Sequence, residues 1–164
     1  IEPEPQLLGE LVARLYEPVS ACSRPLPAAR ELLRELKRAG LRLALISNTP
    51  WDVPGHLVQR DLARFGLDEY LDTRVFSDRG HRKPHPELFR RALAALGTSP
   101  ADTIMVGDSL PEDVAGAKTA GMRTLWVGAE RELAVRDGSD VTPDYVAEDL
   151  PAAGRILLGL VAKS

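Results

Sequence analysis

Apolar positions along the chain follow two patterns: stripes at helical spacing and short unbroken runs. Leu7, Leu8, Leu11, Val12 and Leu15 share one face of a helix that follows Pro3 and Pro5. Glu17 to Pro27, with Pro18, Pro25 and Pro27, reads as a linker. Ala28 to Ala39 is an amphipathic helix with Ala29, Leu32, Leu33 and Leu36 on its buried side, closed by Gly40. Leu41 to Ile46 is an apolar strand interrupted only by Arg42. After Ser47-Asn48-Thr49-Pro50 a helix runs from about Pro54 to Phe65, with Gly66 at its end. Thr73 to Phe76 is the next strand and Asp78 to Pro86 a polar loop.

Pro86 suits the first position of a helix whose core face is Leu88, Phe89, Ala92, Leu93 and Leu96. Strand Thr103–Val106, helix Pro111–Ala120 capped by Gly121, and strand Thr124–Val127 follow. Glu130 to Pro143 is a polar loop, Tyr145–Ala147 a weak strand, and a last helix starts at Pro151. Strands alternating with helices at this spacing predict an α/β fold: a Rossmann-like parallel sheet with helices on both faces.

Composition narrows the class. At 164 residues, with 44% hydrophobic content, the chain is one domain large enough for a proper core. No apolar run is long enough to span a bilayer, so no membrane partner is expected. A net charge of −3 gives no general attraction to nucleic acid. Cys22 is alone, which excludes an internal disulfide and a cysteine zinc cage and fits a reducing cytoplasm. No secretory signal is visible, and the chain opens on Ile1 rather than Met.

Candidate chemistry gathers where strands end, because ligands of parallel sheets bind beyond the carboxyl ends of the strands. Ser47-Asn48, the loop carrying Lys83, and Gly107-Asp108 each follow a different strand, so all can face one crevice. Ser47 and the following N–H groups can donate to a phosphate oxygen; taken alone, Ser47-Asn48 reads more readily as a cap on the next turn. In Arg82-Lys83-Pro84-His85-Pro86 the prolines hold the preceding residues extended. Such a loop can aim the Lys83 ammonium inward, where it would neutralise a nucleophile and a transferring phosphoryl group. Asp108 can bind a cation directly; Asp113, a helical turn on, can hold it through water, brace Lys83, or simply face the helix dipole. His81 and His85 have no third ligand at a suitable spacing and read as loop polarity, and His56 carries no signal. Trp51 and Trp126 read as packing residues, although Trp51 is close enough to Ser47 to line a pocket. Asp137-Gly138-Ser139-Asp140 reads as a turn.

Three segments in order, Leu43-Ala44-Leu45-Ile46-Ser47-Asn48, Arg82-Lys83-Pro84-His85-Pro86-Glu87-Leu88-Phe89 and Met105-Val106-Gly107-Asp108-Ser109 through Asp113-Val114-Ala115-Gly116-Ala117 to Ala120-Gly121-Met122, resemble the haloacid dehalogenase (HAD) superfamily. The match is to motifs two, three and four, nearest the phosphoglycolate-phosphatase-like branch with a helical cap. It covers nearly everything from Arg24 onward. The resemblance implies a magnesium-dependent phosphatase acting on small phosphorylated metabolites through an aspartyl-phosphate. Ser47 and Asn48 would then hold the phosphate, Lys83 would stabilise nucleophile and phosphate, and Asp108 and Asp113 would organise Mg2+.

The family's nucleophile comes from an Asp-x-Asp motif after the first, central strand, and no Asp here has another Asp two positions on. The helix at Leu7–Leu15 matches the last part of a cap inserted after that strand. The expectation is therefore an N-terminally truncated chain: residues 1–22 a cap remnant and linker, residues 23–164 a core domain lacking its first strand. As such it is expected to be inactive. A non-catalytic HAD-like interaction module is the alternative. A 2-haloacid dehalogenase is disfavoured, since Asp108 would repel the substrate's carboxylate. A two-component receiver domain is discounted because its acids precede the hydroxyl and lysine in chain order, whereas here they follow.

In the family's sheet the first strand lies between the strands ending at Ser47 and Val106. Without it the two must pair directly or leave open apolar edges. The 164-residue chain is expected to self-associate or be poorly soluble. Sedimentation measures this directly, and a monomer with a full cooperative thermal transition contradicts it.

Overall fold

Tyrosine, serine and aspartate, rather than leucine, decide how the first helix meets the rest of the molecule. The computed structural model describes residues 5–77, 80–128 and 141–162. Helix α1 (Pro5–Cys22) runs through much of the stretch expected to be linker, with Pro18 inside it. Of its expected buried stripe only Val12 is packed inward; Leu7 and Leu8 are 52% exposed, Leu11 48% and Leu15 71%. The docked face is instead Val12, Ala13, Tyr16 and Val19, against Val53 and Leu57. The cause is Asp61 on α3 (Gly55–Arg64), a buried carboxylate that needs donors. Tyr16 Oη supplies one at 2.9 Å and Ser20 Oγ another at 2.6 Å, while Arg64 stands 3.6 Å away. The helix is turned to serve that carboxylate.

The remaining elements form the expected layers. Helix α2 (Ala29–Arg38) leads to β1 (Ala44–Ser47), and α3 leads to β2 (Thr73–Phe76). Helix α4 (Pro86–Leu96) starts on Pro86, with His85 Nδ1 accepting the Glu87 N–H at 3.2 Å, and stops at Gly97 in a left-handed conformation. Strand β3 (Ile104–Gly107) passes through a π-helical turn, Leu110–Val114, into the short helix α5 (Ala115–Thr119). Strands β4 (Arg123–Val127) and β5 (Tyr145–Ala147) precede α6 (Leu150–Val161), where Asp149 caps the Ala152 N–H at 2.8 Å. The Asp137–Asp140 turn, Asp78, Pro3 and most of the Glu130–Pro143 loop lie outside the described residues.

All strand pairs are parallel, but the layer is split. Strands β1 and β2 make one sheet, with Ser47 opposite Phe76; β3, β4 and β5 make another. The two sheets share their faces. Ala44, Ile46, Val75 and Met105 join α4's Leu88, Phe89, Ala92 and Leu93 on one side. Leu43, Ile104, Val106 and Leu125 join Leu32, Leu36, Ala153 and Leu157 of α2 and α6 on the other. Side chains of β1 and β3 thus alternate in step although the strands do not pair. A cleft of about 570 Å³ opens between the residues that lead into β1, Leu41 and Leu43, and Ile104 and Val106 of β3. Of the two outcomes expected from the sequence, the open edges are the one found.

Burial, the hydrogen bond to Asp61 and the charge of that carboxylate push the Tyr16 phenol up to about 12. A phenol whose folded pKa is raised stabilises the fold fully below its unfolded value near 10 and loses that contribution as pH rises toward 12. Unfolding measured from pH 9 to 12 is expected to show a loss of stability that Tyr16→Phe abolishes. At neutral pH the same substitution is expected to cost about 1–3 kcal/mol by leaving Asp61 short of a donor.

Candidate active site

Three backbone segments bring the polar residues to the carboxyl ends of β1 and β3. Ser47 ends β1; its carbonyl accepts the Ser77 N–H at 3.1 Å, and its hydroxyl bonds to no described residue. It remains available to a ligand. Asn48 is fully engaged. Its Oδ1 accepts the Lys83 N–H at 2.7 Å, and its Nδ2 donates to Lys83 O at 3.2 Å and Glu112 Oε2 at 3.1 Å. The Asn48 side-chain amide is thus engaged in clamping the Lys83 peptide, which leaves its backbone N–H as the group it could offer a phosphate.

Lys83 points inward as its loop chemistry implied. Its Nζ donates to Asp113 Oδ1 at 2.6 Å, with side-chain exposures of 11% and 4%. Asp113 is therefore a brace for Lys83. Its second oxygen accepts the Ser109 N–H at 3.1 Å. The π turn makes this approach possible, since the extra residue per turn sends Asp113 back toward the strand end; Asp113 N–H and Val114 N–H both bond Ser109 O. Gly107 is the other requirement. A Cβ there would stand 2.3 Å from Asp113 Oδ2, so any side chain would expel the carboxylate. Sequence spacing had suggested an ordinary helix from Pro111, and the π turn is what the structure substitutes.

Asp108 lies at the rim, exposed, and its carboxylate bonds to no described residue. Its carbonyl accepts from Trp126 Nε1 at 2.8 Å, which fixes the backbone that carries it. Trp126 is 2% exposed and packs as expected. Trp51 does not: it is 76% exposed, at φ 45° and ψ 32°, a left-handed conformation costing a bulky residue about 1–2 kcal/mol. The loop between β1 and Trp51 is nonetheless pinned. Thr49 is fully buried, donates its N–H to Ser77 Oγ at 3.0 Å, and accepts from Arg82 Nη1 at 3.0 Å. His81 and His85 stack at 4.0 Å, and His85 serves as the cap of α4, so loop polarity accounts for both.

Sequence reasoning missed Glu112, Thr49 and Ser77. Glu112 stands beside Asp113 in the sequence, but nothing local tells that its carboxylate reaches Asn48, sixty-four positions away. Among the described residues no three acids, histidines or cysteines group to hold a metal. The free hard oxygens of Asp108 suit one position of an octahedral magnesium ion, and Asp113, already paired with Lys83, would meet such an ion only through water. The arrangement offers a dianion a hydroxyl, an ammonium held in place, and a carboxylate to share a cation.

Comparisons with known proteins come to the same chemistry. A family model described as haloacid dehalogenase-like hydrolase matches residues 3–121. A glyceraldehyde 3-phosphate phosphatase of Pyrococcus furiosus is 34% identical over 82% of this chain and 55% of its own. A phosphoserine phosphatase of Thermus thermophilus is 40% identical over 76% of this chain and 47% of its own. A crystal structure of a HAD phosphatase from Thermococcus onnurineus superposes with a TM-score of 0.72 at 28% identity, covering 88% of this chain and 63% of that one. The chain spans about half the length of the curated relatives it matches.

Gly107→Ala is expected to separate Asp113 from Lys83 and, by breaking a buried pair, to cost about 3 kcal/mol. Gly9→Ala, in open space on α1, is expected to add about 0.5–1 kcal/mol by stiffening the helix. Urea unfolding of the two variants measures the contrast.

Proposed function

The chain belongs to the haloacid dehalogenase-like hydrolases, and on that premise we propose that it is the phosphate-binding part of a magnesium-dependent phosphatase of small phosphate monoesters. The observation that carries the reading is the Lys83–Asp113 pair, buried at the strand ends where Ser47 and Asp108 keep free oxygens. Burial of a matched pair fixes the ammonium in position before any substrate arrives, so little reorganisation is needed when a dianion enters. The Ser47 hydroxyl donates to a phosphate oxygen. Lys83 Nζ, with protons beyond the one given to Asp113, donates to phosphate and to the attacking carboxylate. Asn48 and Glu112 keep the Lys83 peptide still. Asp108 would hold magnesium, which when bound neutralises charge on the transferring phosphoryl group.

The attacking carboxylate is the part these 164 residues do not supply. We place it on an extended segment in the cleft between β1 and β3, which is flanked by two unpaired parallel edges and by apolar side chains in step on both faces. A strand seated there would satisfy both edges and emerge beside Ser47 and Asp108. In two steps its carboxylate takes the phosphoryl group as the ester oxygen leaves, and water then releases phosphate. On this reading the protein is part of a hydrolase rather than a pseudoenzyme, with residues 1–22 a cap remnant and linker and a cytoplasmic setting. A haloacid dehalogenase reading fits less well because the unpaired Asp108 would repel a substrate carboxylate.

Three results test this. The 164-residue chain is expected to show no magnesium-dependent turnover of p-nitrophenyl phosphate. The same chain extended by a strand ending in Asp-x-Asp is expected to gain it. Lys83→Ala is expected to weaken inorganic phosphate binding about tenfold or more, measured by calorimetry with magnesium present. Robust turnover by the unextended chain, lost in Asp108→Asn, contradicts the reading.

A further inference from the structure

Ser77 directly follows β2 and is 2% exposed, so its hydroxyl must find partners inside the protein. Among the described residues, the partners it finds belong to the Ser47 loop. Its backbone N–H donates to Ser47 O at 3.1 Å, and its Oγ accepts the Thr49 N–H at 3.0 Å. The Thr49 hydroxyl lies 3.3 Å from the same Oγ. In a continued parallel ladder the Thr49 N–H would go to the Ser77 carbonyl; the hydroxyl takes its place. Both peptide groups of Asn48 are thereby tied to one residue, the first through Ser47 O and the second through Thr49 N–H.

This bracket decides which way the Asn48 N–H points. In a trans peptide the C=O and N–H point in opposite directions, and the Ser47–Asn48 bond is trans. Ser47 O faces β2. The Asn48 N–H therefore faces away from β2, off the edge of β1 that pairs with no described strand. It bonds to no described residue. The Asn48 side chain, set by the same two anchors, holds the Lys83 peptide at 2.7 and 3.2 Å. The Thr49 carbonyl accepts from Arg82 Nη1 at 3.0 Å, which ties the two loops a second time.

We infer that Ser77 is a positioning residue of the phosphate site: by bracketing Asn48, it aims that residue's N–H at the ligand and its side chain at the Lys83 peptide. This rests on the phosphate-site reading above. Ser77 itself touches no ligand. Without its Oγ the Thr49 N–H, in a residue 0% exposed, would be buried and unpaired. The peptide between Asn48 and Thr49 would then turn to recover a partner, which loosens Asn48 and through it Lys83.

The test is inorganic phosphate binding by titration calorimetry with magnesium present, together with amide NMR. In the native chain phosphate is expected to shift the Asn48 amide resonance, while the Thr49 amide stays protected from exchange. Ser77→Ala is expected to bind phosphate about fivefold more weakly, with a diminished Asn48 shift. Ser77→Thr keeps the hydroxyl and is expected to stay within about twofold of the native affinity. Urea unfolding shows which variants are folded, and the native Asn48 and Thr49 amides decide the question even if Ser77→Ala does not fold. A purely structural serine would lower stability in Ser77→Ala and leave the folded chain's phosphate affinity unchanged, and that result overturns the inference. So does an Asn48 amide that ignores phosphate while Lys83 responds. Phosphate binding that Lys83→Ala leaves unchanged is the separate result that fails the phosphate-site reading itself, and the inference with it.

Discussion

The ion pair between Lys83 and Asp113 is the contact on which the rest of the site depends. Both side chains are almost wholly out of water, so each needs the other and neither can be left alone. That requirement fixes three unrelated features. The strand β3 must end in a glycine, because a Cβ at Gly107 would occupy the carboxylate's place. The segment after it must be a π turn so that Asp113 folds back. The Lys83 loop must be held by its peptide, which Asn48 does from the end of β1. Gly116 adds a further tie, leaving room for Phe89 and the Pro84 backbone to come close.

The split sheet places that site at two unpaired strand edges. Two parallel sheets face each other with side chains in register, sharing helices α4 on one face and α2 and α6 on the other, yet with no ladder joining them. Backbone donors and acceptors at open edges are strong attractors for another strand. The polar rim and the open edges are therefore two aspects of one geometry: Ser47 ends one of the unpaired strands and Asp108 follows the other. Asp144 closes the other flank, binding Thr124 and Lys118; burial alone would raise its carboxyl, but these partners hold it below the usual range.

A second buried carboxylate, Asp61, governs the other end of the molecule. Tyr16 and Ser20 give it two donors from α1, and the face of that helix bearing Leu7, Leu8, Leu11 and Leu15 lies away from it. The exposed Leu7, Leu8, Leu11 and Leu15 and the displayed Trp51 give this end of the chain an apolar exterior, unlike the polar rim at Asp108.

What the sequence determined by itself was the order of elements, the parallel α/β class, and the residue types at the strand ends. Those follow from local periodicity, turn residues and the position of polar groups after apolar runs, all of which act over a few residues. The core face of α4 was legible for the same reason, as was a lysine that could be aimed inward ahead of two prolines. Tertiary structure decided the partners. That Asp113 braces Lys83, that Asn48 clamps a peptide thirty-five positions away, and that Asp61 turns α1 by drawing in Tyr16 are contacts between distant segments. No local pattern encodes them, because a buried charge selects its partner from whatever the packed fold brings within hydrogen-bonding distance.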